Sequence, residues 1–157
     1  SKWDDPGPGV ITTQMGISEI MDILESNLDT VSGVSGVNNH MGSHATQDAA
    51  LMSVITKELK SRNLFFLDSM THPKSVAYDV ARSNGLQAFK RDIFLDNVDD
   101  YEEIKKQIEE AARIARETGN VVAIGHIRRN TLHAIKDEIP DLEDEGFLIV
   151  NFNSLNG

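Results

Sequence analysis

Cysteine is absent from the 157 residues, which excludes disulfides and thiolate metal sites. Any metal ion must then be held by histidine, aspartate, glutamate or other oxygen groups, a donor set that suits zinc. No apolar run approaches the ~20 residues of a membrane span. Lys2, Trp3, Asp4 and Asp5 lead straight into proline and glycine and do not read as a signal peptide. Positive charge is in the minority: 15 Lys and Arg face 25 Asp and Glu, a net charge of −10. Such a chain repels phosphate backbones, which argues against nucleic acid and anionic membrane surfaces as partners. A neutral substrate or a bound cation is easier to reconcile with it. Aromatics are only 6%, and no sugar-stacking platform stands out. The dinucleotide, P-loop and nucleophile-elbow fingerprints are all missing.

What is there fits a single domain spanning 1–157, long enough to bury a sizeable core. After the turn-rich DDPGPG, helix-like and strand-like pieces alternate. Ser18 is placed to cap a helix carrying Ile20, Ile23, Leu24, Leu28 and Val31. Val34–Val37 reads as a short strand, and Thr46 as the cap of a helix with Leu51, Met52, Ile55 and Leu59. Leu64–Leu67 is a continuous apolar run, as expected of a strand covered on both faces. Pro73 suits a first helical position, with His72 at the cap and Gly85 as the stop. Leu86–Phe89 gives a weaker strand, Asp99–Thr118 the longest helix, and Val121–Ile124 a buried strand. A helix from about Thr131 to Glu138 and a strand over Leu148–Phe152 complete the pattern. Alternation of this kind predicts an α/β fold with a parallel sheet, open or closed.

In parallel α/β folds, sites gather where strands end. Asn38, Asn39 and His40 follow the first strand, and Asp68 and Ser69 the second. Arg91 and Asp92 follow the third, with Asp96 and Asn97 shortly beyond. Gly125 and His126 follow the fourth. Four successive strands thus deliver ionisable or amide groups to one edge, although polar loops alone would do the same. His40 and His44 have the i, i+4 spacing that, on a helical turn, directs two imidazoles at one metal ion. A carboxylate would complete the set, with Asp68 and Asp92 as candidates. The bland alternative is that His40 orders its loop while His44 is solvated. His126 is placed to act as a general acid or base, or merely to bond a loop carbonyl. His72 and His133 read as structural or surface groups.

Taken together and in order, DPGPG, GVNNHMGS, FFLDS, RDIFLDN and AIGH resemble the divergent polysaccharide deacetylases, relatives of the NodB-type enzymes. The resemblance covers nearly the whole chain. It implies an irregular or incomplete (β/α) barrel of the NodB type. It also implies hydrolysis of the N-acetyl amide of an amino sugar in a polysaccharide, in an extracytoplasmic setting. Zinc or another divalent metal would sit on the HxxxH histidines, His40 and His44. His126 resembles the general acid of the late deacetylase motif, with Asp92 a second catalytic candidate. Asn38, Asn39, Asp68, Ser69 and Arg91 are candidate substrate contacts. The family begins with a strand ending in an Asp-Asp pair, and no such strand precedes DPGPG here. The chain is therefore expected to lack the first strand, leaving an open seam. That departure keeps a second expectation alive: a non-catalytic glycan-binding or envelope-interaction module that retains the fold.

Overall fold

The computed structural model describes residues 7–155, apart from the side chain of Asn153. Trp3, the Asp4-Asp5 pair and the start of DPGPG lie outside the described residues. The chain divides into two compact units, Ser1–Lys90 and Arg91–Gly157.

The first unit carries a parallel three-stranded sheet in the order β1-β2-β3, formed by Gly36–Asn38, Phe65–Asp68 and Ala88–Lys90. The register sets Val37 beside Phe66 and Phe66 beside Ala88. Phe66 and Leu67 point to opposite faces, and both are buried. This is the doubly covered strand that the unbroken apolar run predicts. Helices α1 (Ile17–Asp29), α2 (Ala49–Ser61) and α3 (Ala77–Ser83) bring Leu24, Leu28, Met52, Leu59, Ala77 and Ala81 into one core with Phe66.

The helix starts depart from the sequence reading. α1 begins after Gly16, which has no side chain to cap it, so Ser18 lies inside the first turn. Thr46 is buried in a 3-10 turn, and Asp48 caps α2 instead, accepting from the backbone N–H of Ala50 and Leu51 at 2.9 and 3.0 Å. A carboxylate there also meets the positive end of the helix dipole. α3 starts four residues after Pro73. Its first turn donates from the Tyr78 N–H to the Asp68 carboxylate on β2, while His72 orders only the preceding turn through Lys74.

The second unit pairs two short parallel strands, β4 (Ile93–Phe94) and β5 (Ala123–Ile124). Helices α4 (Tyr101–Thr118) and α5 (Arg129–Asp144) pack on each other and enclose Leu95, Ile104, Ile108 and Ala134. Asp100 caps α4, accepting from Glu102 and Glu103, and Gly119, at φ 90°, ends it in the left-handed conformation. A Lys105–Glu138 ion pair at 2.8 Å and a Tyr101–Asp137 hydrogen bond at 2.7 Å tie α4 to α5.

Four features of this unit depart from the sequence reading. β4 has no counterpart in the sequence reading, because Ile93 and Leu95 alternate with Phe94 and Asp96 over too short a span to stand out. β5 is shorter than Val121–Ile124 and is not buried: Ala123 is exposed. Leu148–Phe152 forms no strand. Leu148 is 88% exposed, and a 3-10 turn follows at Phe152–Ser154. An apolar run becomes a strand only where a sheet edge receives it, and among the described residues none does. α5 also runs beyond Glu138, through Pro140, which removes one helical N–H without ending the helix.

Leu59 is 1% exposed at the centre of the first core, so Leu59→Ala is expected to cost about 2–5 kcal/mol. Leu148→Ala is expected to change stability by less than about 0.5 kcal/mol. Urea denaturation of the two variants checks both values; equal losses would contradict the assigned core.

Candidate functional site

In the first unit, polar groups cluster beyond the ends of β1 and β2. Asn38 donates from Nδ2 to Ser69 Oγ at 3.1 Å, and Asn39 Oδ1 accepts from the Ser69 N–H at 2.8 Å. Thr71 Oγ1 donates to the Met41 carbonyl at 3.1 Å. The two loops are thus laced together side chain to backbone. Asn38 and His40 are exposed, and both line a groove of about 580 Å³ whose walls are mostly aliphatic. Asp68 is fully buried. Its oxygens accept from the Met70 N–H, the Ser75 hydroxyl at 2.7 Å and the Tyr78 N–H. With three donors and no exposure, Asp68 reaches a ligand only through the loop and helix that it orders.

The HxxxH segment is not a helical turn. Met41 and Gly42, between the two histidines, both have positive φ, 57° and 74°. A left-handed pair reverses the chain, so the spacing argument for two imidazoles on one helical face does not apply here. His44 precedes the 3-10 turn Ala45–Gln47 and is exposed. Among the described residues, no group of three or more histidines and carboxylates is arranged to hold a metal ion. The zinc set of His40, His44 and an aspartate is therefore not completed within them: Asp68 is consumed by its own donors, and Asp92 is committed elsewhere.

The second unit holds a different arrangement. Continuing the Phe94–Ile124 register by two residues sets Asp96 opposite His126. The Asp96 side chain has no exposed surface. Its Oδ2 accepts from the His126 backbone N–H at 2.7 Å and from the Thr131 hydroxyl at 2.8 Å. Its Oδ1 lies 2.9 Å from His126 Nδ1. Arg128 donates to the Asp96 backbone carbonyl at 2.9 Å. Gly125 makes this closeness possible, since a Cβ there would come 2.9 Å from Thr131 Cγ2 and 3.6 Å from Asp96 Cγ.

Burial pushes the Asp96 carboxyl up, but the hydrogen bonds from His126 and Thr131 outweigh it and hold the group below the ordinary carboxylate range. The ionised carboxylate only accepts, so Nδ1 carries the proton toward it. Nε2 is then the ring nitrogen on the edge away from Asp96, on a side chain that is 42% exposed. A buried carboxylate orienting a half-exposed imidazole is the usual construction of a general acid–base group. Asp92 serves differently: it is exposed, and its Oδ2 accepts from the Val122 N–H at 2.8 Å, fastening β4 to the segment before β5. Arg91 lies over the Phe94 ring, its guanidinium carbon 4.1 Å from the centroid.

The family model for divergent polysaccharide deacetylases matches residues 1–156. The chain belongs to this family. It is 36% identical over 131 residues to an uncharacterized protein of Haemophilus influenzae, covering 83% of this chain and 47% of that protein. It is 32% identical over 143 residues to the uncharacterized protein YibQ of Escherichia coli, covering 91% of this chain and 45% of YibQ. The chain thus spans less than half the length of these relatives. The crystal structure of the uncharacterized protein ATU2773 from Agrobacterium tumefaciens shares its fold, with a TM-score of 0.93 at 20% identity over 98% of this chain and 62% of that one.

Sequence reasoning placed His126 at a strand end but did not assign it a partner. In sequence Asp96, within RDIFLDN, reads only as a polar residue shortly beyond Arg91 and Asp92. The signal that could have found it is the alternation Phe94-Leu95-Asp96, which makes Asp96 the last residue of a β4 face. In this deacetylase-family chain, Thr131 likewise reads from sequence as nothing more than a helix start.

Asp96 has a depressed folded pKa, so the unfolded chain takes up the proton first. Its contribution to stability is full above about pH 4 and is lost as pH falls through the folded value. Asp96→Asn is expected to cost about 3 kcal/mol near neutrality. Unfolding free energies of the two proteins between pH 2 and 7 should converge on the acid side. A gap that stays constant over that range would contradict the assignment.

Proposed function

We propose that the chain is part of a carbohydrate deacetylase that hydrolyses the N-acetyl amide of an amino sugar, with His126 as the proton donor to the leaving nitrogen. The observation that carries this reading is the Asp96–His126 pair: a fully buried carboxylate bonded to Nδ1 of a half-exposed imidazole. Family membership supplies the substrate class. An incomplete (β/α) barrel as scaffold and an extracytoplasmic setting belong to the same proposal, supported by the parallel pairing within each unit and by the family.

In the proposed step, water adds to the acyl carbon and the carbon–nitrogen bond breaks. The nitrogen leaves as an amine with the proton delivered from His126 Nε2, and the acyl group leaves as acetate. The imidazole is reprotonated by the proton that the water gave up. The Asp96 carboxylate stabilises the imidazolium before transfer and preserves the Nδ1–H form after it. No step is assigned to a divalent ion, because the described residues do not complete a ligand set for one. For the first unit, we propose that Asn38, Asn39 and Ser69 form a polar ligand-binding rim. Their support is the laced loop beside the groove.

The other reading is a glycan-binding module without turnover, and the non-helical path between His40 and His44 is the observation on its side. Acetate release from N-acetylated amino-sugar oligosaccharides, measured on the full polypeptide, separates the two. His126→Gln is expected to lower kcat by about 10²–10⁴-fold. Glycan binding without acetate release, in the presence of added divalent ions, would establish the module and end the deacetylase reading.

A further inference from the structure

We infer that Phe94, with Arg91 seated on its ring, is a positioning residue that holds the imidazole plane of His126; the inference rests on the reading of His126 as the proton donor. The phenyl and imidazole planes lie 4° from parallel with centroids 6.5 Å apart, within the range of an offset stack. The strand register explains the placement. Phe94 lies beside Ile124, and His126 is two residues further along the same face of the chain. The neighbours of Phe94, Ile93 and Leu95, are each 7% exposed and serve the core from the other face. Phe94 itself is only half-buried.

The stack supplies a restraint that Asp96 does not. The Nδ1···Oδ1 bond of 2.9 Å decides which edge of the imidazole faces the carboxylate. A hydrogen bond tolerates about 30° of bending, and a swing of that size moves Nε2 by about 1 Å. Misplacement of a reacting group on that scale costs about 10²-fold in rate. The parallel phenyl ring, offset so that it flanks rather than covers the imidazole, opposes this tilt. The Arg91 guanidinium carbon, 4.1 Å from the Phe94 centroid, in turn fixes the phenyl ring through its negative face. The in-plane bond from Asp96 and the out-of-plane contact from Phe94 both bear on where Nε2 points.

The test uses Phe94→Leu, Phe94→Tyr and Arg91→Gln in the full polypeptide. The readouts are the imidazole ¹⁵N signals of His126 and acetate release. Phe94→Leu should add a second tautomer or shift both nitrogen signals, and should lower kcat about tenfold or more with KM within about twofold. Phe94→Tyr, which keeps the ring, should retain the wild-type signals and rate. Arg91→Gln should move the same signals by a smaller amount; unchanged signals would remove Arg91 from the device. Wild-type signals and kcat in Phe94→Leu, or equal losses in Phe94→Leu and Phe94→Tyr, would overturn the inference. Imidazole signals that respond as expected, in a protein that releases no acetate in any form, would uphold the positioning role and reject the deacetylase reading.

Discussion

The second unit is organised around one buried negative charge. A carboxylate taken out of water is costly unless donors replace the solvent. Asp96 meets that requirement with three hydrogen bonds, two from His126 and one from Thr131. Because the donors come from the segment after β5 and from the first turn of α5, satisfying the charge also fixes where β5 ends and α5 begins. The same contacts set Nε2 on the edge of His126 that faces away from the carboxylate. Fold and chemistry therefore share a set of bonds, and Gly125 is the small residue that lets them form.

Asp68 plays the matching part in the first unit with a different outcome. It too is buried and accepts three hydrogen bonds, but its donors are two backbone N–H groups and a serine hydroxyl. No titratable side chain is among these partners. The result is an ordered loop and a fixed start to α3 rather than an oriented imidazole. Two strand-end aspartates that look alike in sequence thus part in function according to what donates to them.

Much of the fold was legible because burial follows simple periodicities. The apolar run Leu64–Leu67, the stripe of α4 and the stop at Gly119 all reflect local rules. What was not legible depends on partners distant in sequence. The start of α3 is set by Asp68 on β2, and Leu148–Phe152 fails as a strand for want of a receiving edge. The site shows the same division. His126 was visible as a polar residue ending a strand. Asp96 became meaningful only through a register that pairs two strands thirty residues apart. The i, i+4 spacing of His40 and His44 suggests a helical turn, and the positive φ of Met41 and Gly42 shows that the segment takes another path.

The central claim is that Asp96 is ionised in its buried position and organises His126 from there. The ¹³C shift of the Asp96 side-chain carboxyl, followed against pH in the folded protein, tests this most directly. The account predicts a midpoint below the ordinary aspartate value of about 3.9. A midpoint at or above that value would contradict it, because burial would then have won over the donors and the imidazole would face a neutral acid.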